Sequence, residues 1–218
     1  ILFTKGPYSM SYNARLYDFL TSRFYDKQMD LELVHEGRRR VVSAVNIDSG
    51  TRVLEVGCGT GLNQPMLIKA LGKTGQIVAI DASIEMLRKA RLRAEEHGYA
   101  DRVKFIHGDA RQLDSLLKDA GEDEKFDTLF LTLILTVVPN WRRVFELAYA
   151  HLKIGGRCGI MDSYWTKSSL THWLVRTLYA ADSKRPTFMP LQGIAADYQI
   201  ELLPPKNSFF FVASGTKR

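Results

Sequence analysis

One of the early apolar runs of the chain contains a carboxylate and leads into three glycines. Together these residues could bind a nucleotide-like cofactor. The segment RVLEVGCGTG, residues 52–61, leads into Gly57, Gly59 and Gly61, and Glu55 stands two residues before the first of these glycines. A dinucleotide-binding turn has the pattern G-x-G-x-x-G and holds a pyrophosphate at a helix N-terminus, whereas the third glycine here comes one residue early. The carboxylate of Glu55 would repel a pyrophosphate but suits an ammonium group. This combination favours S-adenosylmethionine, whose amino-acid end is zwitterionic.

Two further carboxylates follow the next two predicted strands. Asp81 ends the second strand at the carboxyl edge of the sheet, where ligands of parallel sheets bind, and it can accept two hydrogen bonds from ribose hydroxyls. NAD-binding enzymes use the same contact, so Asp81 indicates a nucleoside without identifying it. After the third strand, HGDA at residues 107–110 offers Asp109 to an exocyclic amine such as adenine N6. Any one of these carboxylates could instead cap a helix, but three in this order favour a cofactor site.

The elements that would position these residues alternate between strands and helices from about residue 52 onward. Apolar runs indicate the strands, and helical spacing with Ser83 as a cap and Gly98 as a stop indicates one of the helices. Such alternation predicts a doubly wound parallel sheet covered on both faces. The predicted strands are Val53–Val56, Gln76–Ile80, Val103–Ile106, Thr128–Leu135 and Arg157–Met161, and the predicted helices are about Leu62–Leu71, Ser83–His97 and Arg142–Leu152.

The two ends of the chain differ from this middle part. A predicted apolar helix near Leu170–Ala180 is followed by two predicted strands, Tyr198–Leu203 and Ser208–Ala213, which would form an antiparallel hairpin at the sheet edge. Residues 1–45 are predicted to be helical and amphipathic, with apolar residues at helical spacing from Leu16 to Phe24. The simplest organisation is one domain with an N-terminal helical extension.

Composition and charge limit the classes of function. The chain has 218 residues, 45% of them hydrophobic and 25% charged, and no apolar stretch of the roughly 18 residues that span a bilayer. No signal peptide is recognised, and Cys58 and Cys158 have no paired spacing, so we expect a protein of the reducing cytoplasm without a disulfide scaffold or a zinc site. The net charge of +6 arises at the ends, since residues 1–45 carry seven Lys/Arg against five Asp/Glu and residues 165–218 carry seven against three. Either ordinary surface solvation or an anionic partner, such as a lipid surface, a phosphate or a nucleic acid, would account for it.

The ordered motifs resemble those of a known family. VLEVGCGTG, VAIDAS, HGDA, FDTLFLTLIL and HLKIGG are similar, in this order and over about residues 50–165, to the motifs of class I S-adenosylmethionine-dependent methyltransferases. Ile154 stands where the family usually has proline, a departure that concerns only a turn. The resemblance implies a Rossmann-like α/β fold in residues 46–218, with a seven-stranded sheet that is mostly parallel and ends in the antiparallel hairpin. Residues 1–45 would then be a helical lid that faces a membrane or, alternatively, packs as core.

Shorter matches indicate a subgroup. ARLYD, residues 14–18, resembles the A-x-x-Y-D segment of the ubiquinone/menaquinone-biosynthesis methyltransferases, and AADSKRPTF and FFFVASGTKR resemble small bacterial phospholipid and betaine-lipid N-methyltransferases. The subgroup implies N-methylation of a phospholipid headgroup amine, that of phosphatidylethanolamine or its methylated forms. Quinol-ring C-methylation, another small-molecule acceptor, and S-adenosylmethionine binding without turnover are the alternatives. A dehydrogenase would require NAD binding instead.

The family resemblance also implies roles for individual residues. The glycine loop would wrap the methionine part of the cofactor, Thr132 would line that end, and Glu55 would support the loop or the ammonium group. Asp81 and the HGDA motif would bind the ribose and the adenine. Tyr17 would close over the cofactor from the N-terminal segment, and Met86 would pack either on the adenine or in the core. The implied cofactor-binding residues are Tyr17, Glu55, Gly57, Gly59, Thr60, Gly61, Asp81, Met86, Asp109, Ala110 and Thr132.

The acceptor side offers weaker signals than the cofactor side. Methyl transfer from a sulfonium is an in-line displacement, which requires alignment and exclusion of water but no covalent nucleophile or metal. An amine acceptor must be attacked in its neutral form, so a weak general base could assist. Arg185 could bind a phosphate through paired hydrogen bonds. The candidate bases are Tyr17, Asp162, Tyr164 and His172, and the candidate substrate-binding residues are Tyr12, Arg176 and Arg185.

Nucleic-acid acceptors are disfavoured by the residues after the fourth predicted strand. The Asn/Asp-Pro-Pro-Tyr signature of amino-group methylation belongs there, but the sequence has LTVVPN at residues 135–140. The sequence also contains no Pro-Cys pair for cytosine C5 methylation. We therefore expect S-adenosylmethionine as cofactor, S-adenosylhomocysteine as product, and a phospholipid or other small molecule as acceptor. Peripheral contact with the anionic inner face of the cell membrane is expected for a lipid acceptor.

Overall fold

Seven strands form one mixed sheet in the computed structural model, which describes residues 26, 31–165, 181–203 and 210–218. The strands are β1 Arg52–Val56, β2 Gln76–Asp81, β3 Val103–His107, β4 Phe126–Thr132, β5 Leu152–Ser163, β6 Ala195–Leu202 and β7 Phe210–Lys217. Their order in the sheet is β3-β2-β1-β4-β5-β7-β6. Strands β1 to β5 are parallel to one another, and β7 pairs antiparallel with both β5 and β6.

The described helices cover both faces of this sheet. They are α1 Glu32–Val45, α2 Gln64–Ala70, α3 Ile84–Glu96, α4 Leu113–Asp119, α5 Trp141–Ala150 and α6 Met189–Ile194. Helices α1 to α3 bury Val41, Leu67 and Leu87 in one apolar cluster, and α4 and α5 bury Leu117 and Phe145 in the cluster on the opposite face. None of the described helices is long and apolar enough to cross a membrane.

The alternation of strands and helices predicted from the sequence is confirmed. Each predicted strand of the parallel part overlaps an observed one, and the antiparallel hairpin forms the sheet edge as β6 and β7. Ser83 caps α3, because its Oγ accepts a hydrogen bond from the N–H of Met86 at 3.1 Å. Gly98 lies just beyond the end of this helix with φ of 70°, a value that glycine adopts without strain. The fold is therefore the seven-stranded α/β architecture that the motifs implied.

Several element boundaries differ from the predicted ones. Strand β4 was expected to extend to Leu135 but ends earlier, because Leu133 takes a φ of 56° and turns the chain away from the sheet. Strand β5 is longer than predicted, since Leu152 already pairs with Phe126 ahead of a register shift. The short helices α4 and α6 had no clear sequence signal. The helix predicted near Leu170–Ala180 lies outside the described residues.

Helix α1 lies against the sheet through close contacts at two glycines. A Cβ at Gly159 of β5 would lie 2.4 Å from Cγ1 of Val45, and a Cβ at Gly37 of α1 would lie 2.6 Å from Cε of Met161. Val41 and Val45 are fully buried in this interface. The described helical part of the predicted lid is therefore packed on the sheet. Most of the rest of the lid lies outside the described residues, and the domain division after residue 45 stays a prediction.

Gly159→Ala is expected to destabilise the protein by about 1–3 kcal/mol, because the added methyl group would overlap the side chains of Val45 and Val41 in a packed core. The free energy of unfolding, measured by chemical denaturation, checks this. Gly193→Ala is the matched control. Gly193 lies in α6 with no atom within 4 Å of its Cβ position, so alanine should leave the stability unchanged or raise it by up to about 1 kcal/mol. Equal stability of the two variants would contradict the close packing of α1 on β5.

Candidate active site

The glycine-rich loop after β1 turns sharply at the carboxyl edge of the sheet. Gly57, Gly59 and Gly61 have φ values of 74°, 56° and 78°, in the left-handed region that glycine adopts without strain. A Cβ at Gly57 would lie 2.6 Å from Cγ1 of Ile134, so a larger residue does not fit there. The N–H of Gly57 donates to the carbonyl of Ile80 at 2.8 Å, which ties the loop to β2. The backbone conformation of the loop and its packing on Ile134 therefore both require glycine at Gly57.

Asp81, at the end of β2, holds this loop from the neighbouring strand. Its Oδ2 accepts a hydrogen bond from the N–H of Gly59 at 2.8 Å, and its Oδ1 accepts one from the N–H of Ser83 at 2.9 Å. Both oxygens of this carboxylate thus accept from the backbone at the carboxyl edge of the sheet. The structure brings Asp81 and the glycine loop together as the sequence predicted, and the ribose contact itself stays a prediction.

Glu55 lies beneath the loop in a buried network of amides. Its Oε1 accepts from Nδ2 of Asn63 at 2.9 Å, its Oε2 accepts from Nε2 of Gln64 at 3.2 Å, and Nδ2 of Asn63 also donates to Oγ1 of Thr132 at 2.7 Å. Glu55 is 1% exposed, and burial raises the pKa of its carboxyl to about 7 against the opposing effect of the two amide hydrogen bonds. The sequence left two roles open for Glu55, support of the glycine loop or contact with the ammonium group. This geometry fits support of the loop region. Asn63 and Gln64 were not predicted.

A small cavity between the loop, α1 and β4 lies at the position predicted for the amino-acid end of S-adenosylmethionine. Asn63 is 4% exposed, and its buried Oδ1 accepts no hydrogen bond from any described residue. An unsatisfied buried acceptor is unfavourable, and an ammonium group would satisfy it. The residues present therefore fit this part of the cofactor. The cavity is lined by Arg38, Gly57, Cys58, Thr60, Leu62, Asn63, Thr132 and Leu133.

Thr60 connects the loop to two residues that the sequence analysis did not associate with it. Thr60 is 1% exposed and donates from Oγ1 to Oδ1 of Asp26 at 2.5 Å. The other oxygen of Asp26 pairs with Nη2 of Arg93 on α3 at 2.7 Å. A carboxylate from the N-terminal segment thus bridges the glycine loop and α3. No spacing pattern marks an interaction between residues this far apart in the chain.

The residues predicted to bind adenine lie after β3. Oδ1 of Asp109 accepts from the N–H of Arg111 at 2.9 Å, and the same carboxylate pairs with the Arg111 guanidinium, which lowers the pKa of Asp109. Adenine would therefore have to share the carboxylate of Asp109 with Arg111. This role of Arg111 was not predicted from the sequence. Ala110 is buried beside it, and Met86 is partly exposed in the first turn of α3. Their adenine contacts stay predictions.

Both cysteines are buried side chains without nucleophilic character. Cys58 is 4% exposed, and its pKa is raised well above the ordinary range by burial and, to a smaller extent, by Asp81 and Glu55. Burial likewise raises the pKa of Cys158 in β5. Because the thiolate is the reactive form, a thiol kept protonated is a poor nucleophile. The structure supports the expectation that Cys58 fills space in the loop.

Asp162 connects the end of β5 to the segment that follows β4. Its carboxylate accepts from Oγ1 of Thr136 at 2.6 Å, from the N–H of Thr136 at 3.0 Å and from the N–H of Ser163 at 2.8 Å. Asp162 is 1% exposed, and burial raises its pKa to about 6 while the Thr136 hydrogen bonds oppose the rise. A carboxylate so enclosed holds two segments together, and its role as a candidate base stays a prediction.

Tyr164 and Arg185 lie in the same part of the fold. The ring of Tyr164 packs edge-on against Phe188, with centroids 5.2 Å apart. Nη1 of Arg185 donates to the carbonyls of Leu135 at 3.2 Å and Val138 at 2.7 Å, so this guanidinium stabilises the segment after β4. A phosphate contact from Arg185 would have to use its other nitrogens, and the acceptor roles of both residues stay predictions. The other predicted acceptor or lid residues lie outside the described residues: Tyr12, Tyr17, His172 and Arg176.

Comparison with known proteins shows which family this chain belongs to. A family model described as a methyltransferase domain matches residues 47–189. The chain belongs to this methyltransferase family. It is 38% identical over 127 residues to a phosphatidylethanolamine N-methyltransferase of Cereibacter sphaeroides, which covers 58% of this chain and 57% of that protein. It is 34% identical over 119 residues to a demethylmenaquinone methyltransferase of Staphylococcus aureus, over 55% of this chain and 46% of that protein. The methyltransferase thus spans about half the length of these curated relatives.

Solved structures agree with this assignment. The methyltransferase is 26% identical, with a TM-score of 0.56, to a SAM-dependent methyltransferase from Geobacter sulfurreducens in complex with S-adenosylhomocysteine, over 76% of this chain and 66% of that one. A geranyl diphosphate C-methyltransferase from Streptomyces coelicolor, 12% identical with a TM-score of 0.69 over 84% and 78% of the two chains, shares the fold. The methyltransferase domain belongs to a family whose typical methyl donor is S-adenosylmethionine, with S-adenosylhomocysteine as product. The predictions of enzyme class and cofactor are confirmed.

The methyltransferase's own residues have to bind the cofactor, orient it towards the acceptor and shield the reaction from water. S-adenosylmethionine supplies an electrophilic methyl group when bound. The loop glycines allow the cofactor to lie close to the backbone, and Asp81 fixes the loop that would contact it. Glu55 and Asn63 form a buried, hydrogen-bonded floor beneath the loop. Alignment and exclusion of water are the main contributions that an in-line methyl transfer requires from a protein.

Asp81→Ala is expected to weaken S-adenosylmethionine binding by about 1.5–3 kcal/mol, because a charged acceptor for ribose and the anchor of the Gly59 N–H are both lost. Isothermal titration calorimetry measures the dissociation constant. Asp101→Ala is the matched control, since it removes the same charge from an exposed residue before β3, at the opposite edge of the sheet. Unchanged affinity of the Asp81 variant would refute the predicted pocket.

The free energy of unfolding is expected to decrease through Glu55 as pH rises from about 4.5 to about 7. The pKa of this carboxyl is 4.5 for an ordinary glutamate and about 7 in the folded protein, so the folded protein binds more protons in this window. Stabilisation by the protonated form is complete below the lower value and lost as pH passes the higher one. A shift of this size corresponds to about 3 kcal/mol.

Glu55→Gln removes this titration and keeps a neutral side chain. The buried Oε1 of Gln64 has no partner among the described residues, so a flipped Gln64 amide could accept from the new amide. Denaturation across this pH range gives the free energy of unfolding of the wild type and of the variant. The difference between the two is the contribution of Glu55, because Asp162 contributes equally to both proteins. The wild-type stability should fall relative to that of the variant as pH rises. A difference that does not change with pH would show that Glu55 ionises normally.

Proposed function

We propose that this methyltransferase N-methylates the headgroup amine of a phospholipid, phosphatidylethanolamine or its methylated forms. The observation that carries the proposal is the 38% identity over 127 residues to a phosphatidylethanolamine N-methyltransferase. The identity to a demethylmenaquinone methyltransferase is 34% over a similar span. C-methylation of a quinol ring is therefore the second candidate.

The position of residues 181–188 supports a role in acceptor recognition. This segment contains most of the stretch that resembles phospholipid N-methyltransferases, and it lies at the carboxyl ends of β4 and β5. The N–H of Asp182 donates to the carbonyl of Thr136 at 2.8 Å, and the hydroxyls of Ser183 and Ser163 lie 2.9 Å apart. An acceptor must enter at this edge of the sheet to meet a methyl group held by the glycine loop.

Charge at the same place suits a phosphodiester. Lys184 is exposed in this segment, and Arg185 follows it with its guanidinium partly exposed. A headgroup phosphate near these cations would leave its amine free to reach the methyl group. The basic excess of residues 165–218, seven Lys/Arg against three Asp/Glu, would also favour contact with an anionic bilayer. A quinol offers no phosphate to this surface.

Incubation of the purified protein with S-adenosylmethionine and vesicles tests the proposal. Vesicles containing phosphatidylethanolamine should yield mono- and dimethylated lipid together with S-adenosylhomocysteine, as measured by mass spectrometry. Vesicles of phosphatidylcholine alone should yield neither, because their amine is fully methylated. Binding to anionic vesicles should weaken as added salt screens the surface charges. Methylation of a demethylated quinol in parallel reactions without lipid methylation would overturn the proposal and favour the second candidate.

A further inference from the structure

Helix α1 carries an arginine on the face that packs against the sheet. The exposed fraction of Arg38 is 3%, close to that of the valines one turn before and one turn after it. A fully buried guanidinium requires an opposite charge or several acceptors, because desolvation of an ion is costly. The buried positions of α1 are Val34, Gly37, Arg38, Val41 and Val45.

The two following arginines show that this placement is specific. Arg39 is half exposed and pairs with Glu36 at 2.9 Å, and Arg40 is about one-third exposed and pairs with the same carboxylate at 2.6 Å. The two outer arginines therefore form ion pairs with surface carboxylates on the helix and on β6, while Arg38 points inward. Exposed pairs of this kind contribute little to stability. The buried arginine differs from them in both its environment and its chemistry.

The packing of α1 brings Arg38 to the amino-acid end of the cofactor site. Gly37 allows the helix to approach β5, since a Cβ there would lie 2.6 Å from Met161. The next residue, Arg38, then lines the same cavity as Gly57, Asn63 and Thr132. Its charge lowers the pKa of Glu55, although burial of that carboxyl has the larger and opposite effect.

We propose that Arg38 binds the carboxylate of the methionine part of S-adenosylmethionine. A planar guanidinium can donate two parallel hydrogen bonds to a carboxylate, and such charge-assisted bonds are strong in a buried site. Asn63 lines the same cavity, and its buried Oδ1, which accepts no hydrogen bond from the described residues, receives the ammonium group. Arg38 and Asn63 together recognise both charges of the zwitterion. The inference concerns the cofactor and is independent of the acceptor.

Calorimetry with three ligands tests this assignment on the full chain. The ligands are S-adenosylmethionine, its decarboxylated analogue and 5′-methylthioadenosine, which lacks the amino-acid end. Arg38→Met removes the charge but keeps most of the side-chain volume, and it should weaken S-adenosylmethionine binding about 10- to 150-fold. Binding of the other two ligands should change less than about 3-fold, as expected when only the carboxylate contact is lost. Arg39→Met is the control, with no change for any ligand.

The outcomes separate recognition from a structural role. Equal weakening of all three ligands would mean that Arg38 only supports the fold of the site and would overturn the proposal, as would unchanged affinity for S-adenosylmethionine. Circular dichroism and thermal unfolding establish whether the variant is folded. If it is not, the wild type alone decides, because it must bind S-adenosylmethionine at least about 10-fold more tightly than the decarboxylated analogue. A wild type without this preference would refute the carboxylate contact.

Discussion

The buried carboxylate of Glu55 joins three elements at the carboxyl edge of the sheet. Strand β1 supplies the carboxylate, the residues at the start of α2 supply the amides of Asn63 and Gln64, and Asn63 extends the network to Thr132 on β4. Burying a carboxyl without such donors would be unfavourable, and its raised pKa shows that the two amides do not compensate fully. The conformation of the glycine loop depends on this network, because the loop lies between its members.

The last glycine of the loop shows how backbone and network depend on each other. A Cβ at Gly61 would lie 2.7 Å from Oε1 of Gln64, and φ at Gly61 is 78°. Any larger residue would both strain the backbone and displace the amide that holds Glu55. The glycine pattern therefore reflects packing beneath the loop as well as access for a ligand above it.

Local patterns made the cofactor side predictable from the sequence. The glycine spacing, the cap at Ser83 and the position of Asp81 at a strand end each depend on a few neighbouring residues, and the structure contains all of them. Asn63 was missed because single amides have no spacing signature. Arg38 did leave a signal, since it occupies a position between Val34 and Val41 where the helical periodicity requires an apolar residue. A cation at an apolar position of a helical pattern indicates a buried charge.

Long-range contacts explain the features that the sequence did not predict. Strand β4 ends early at Leu133, whose φ of 56° turns the chain away from the sheet while its N–H donates to the carbonyl of Met161, a residue of a different strand. Asp26 reaches Thr60 from a part of the chain whose periodicity suggested only an amphipathic helix. In both cases the partner lies more than twenty residues away, and local propensity carries no information about it.

The cofactor side and the proposed acceptor side of the site are built from different parts of the chain, and the buried carboxylate of Asp162 attaches the acceptor side to the sheet. Residues 52–132 supply the loop, Asp81 and the Glu55 network, whereas the segment after β4 and residues 181–188 form the proposed acceptor side. Asp162 connects the end of β5 to the segment after β4 through Thr136, and the carbonyl of Thr136 in turn holds Asp182. The acceptor side is thus attached to the sheet without using a cofactor-binding group. Residues there can therefore differ in chemistry without altering the Glu55 network beneath the glycine loop.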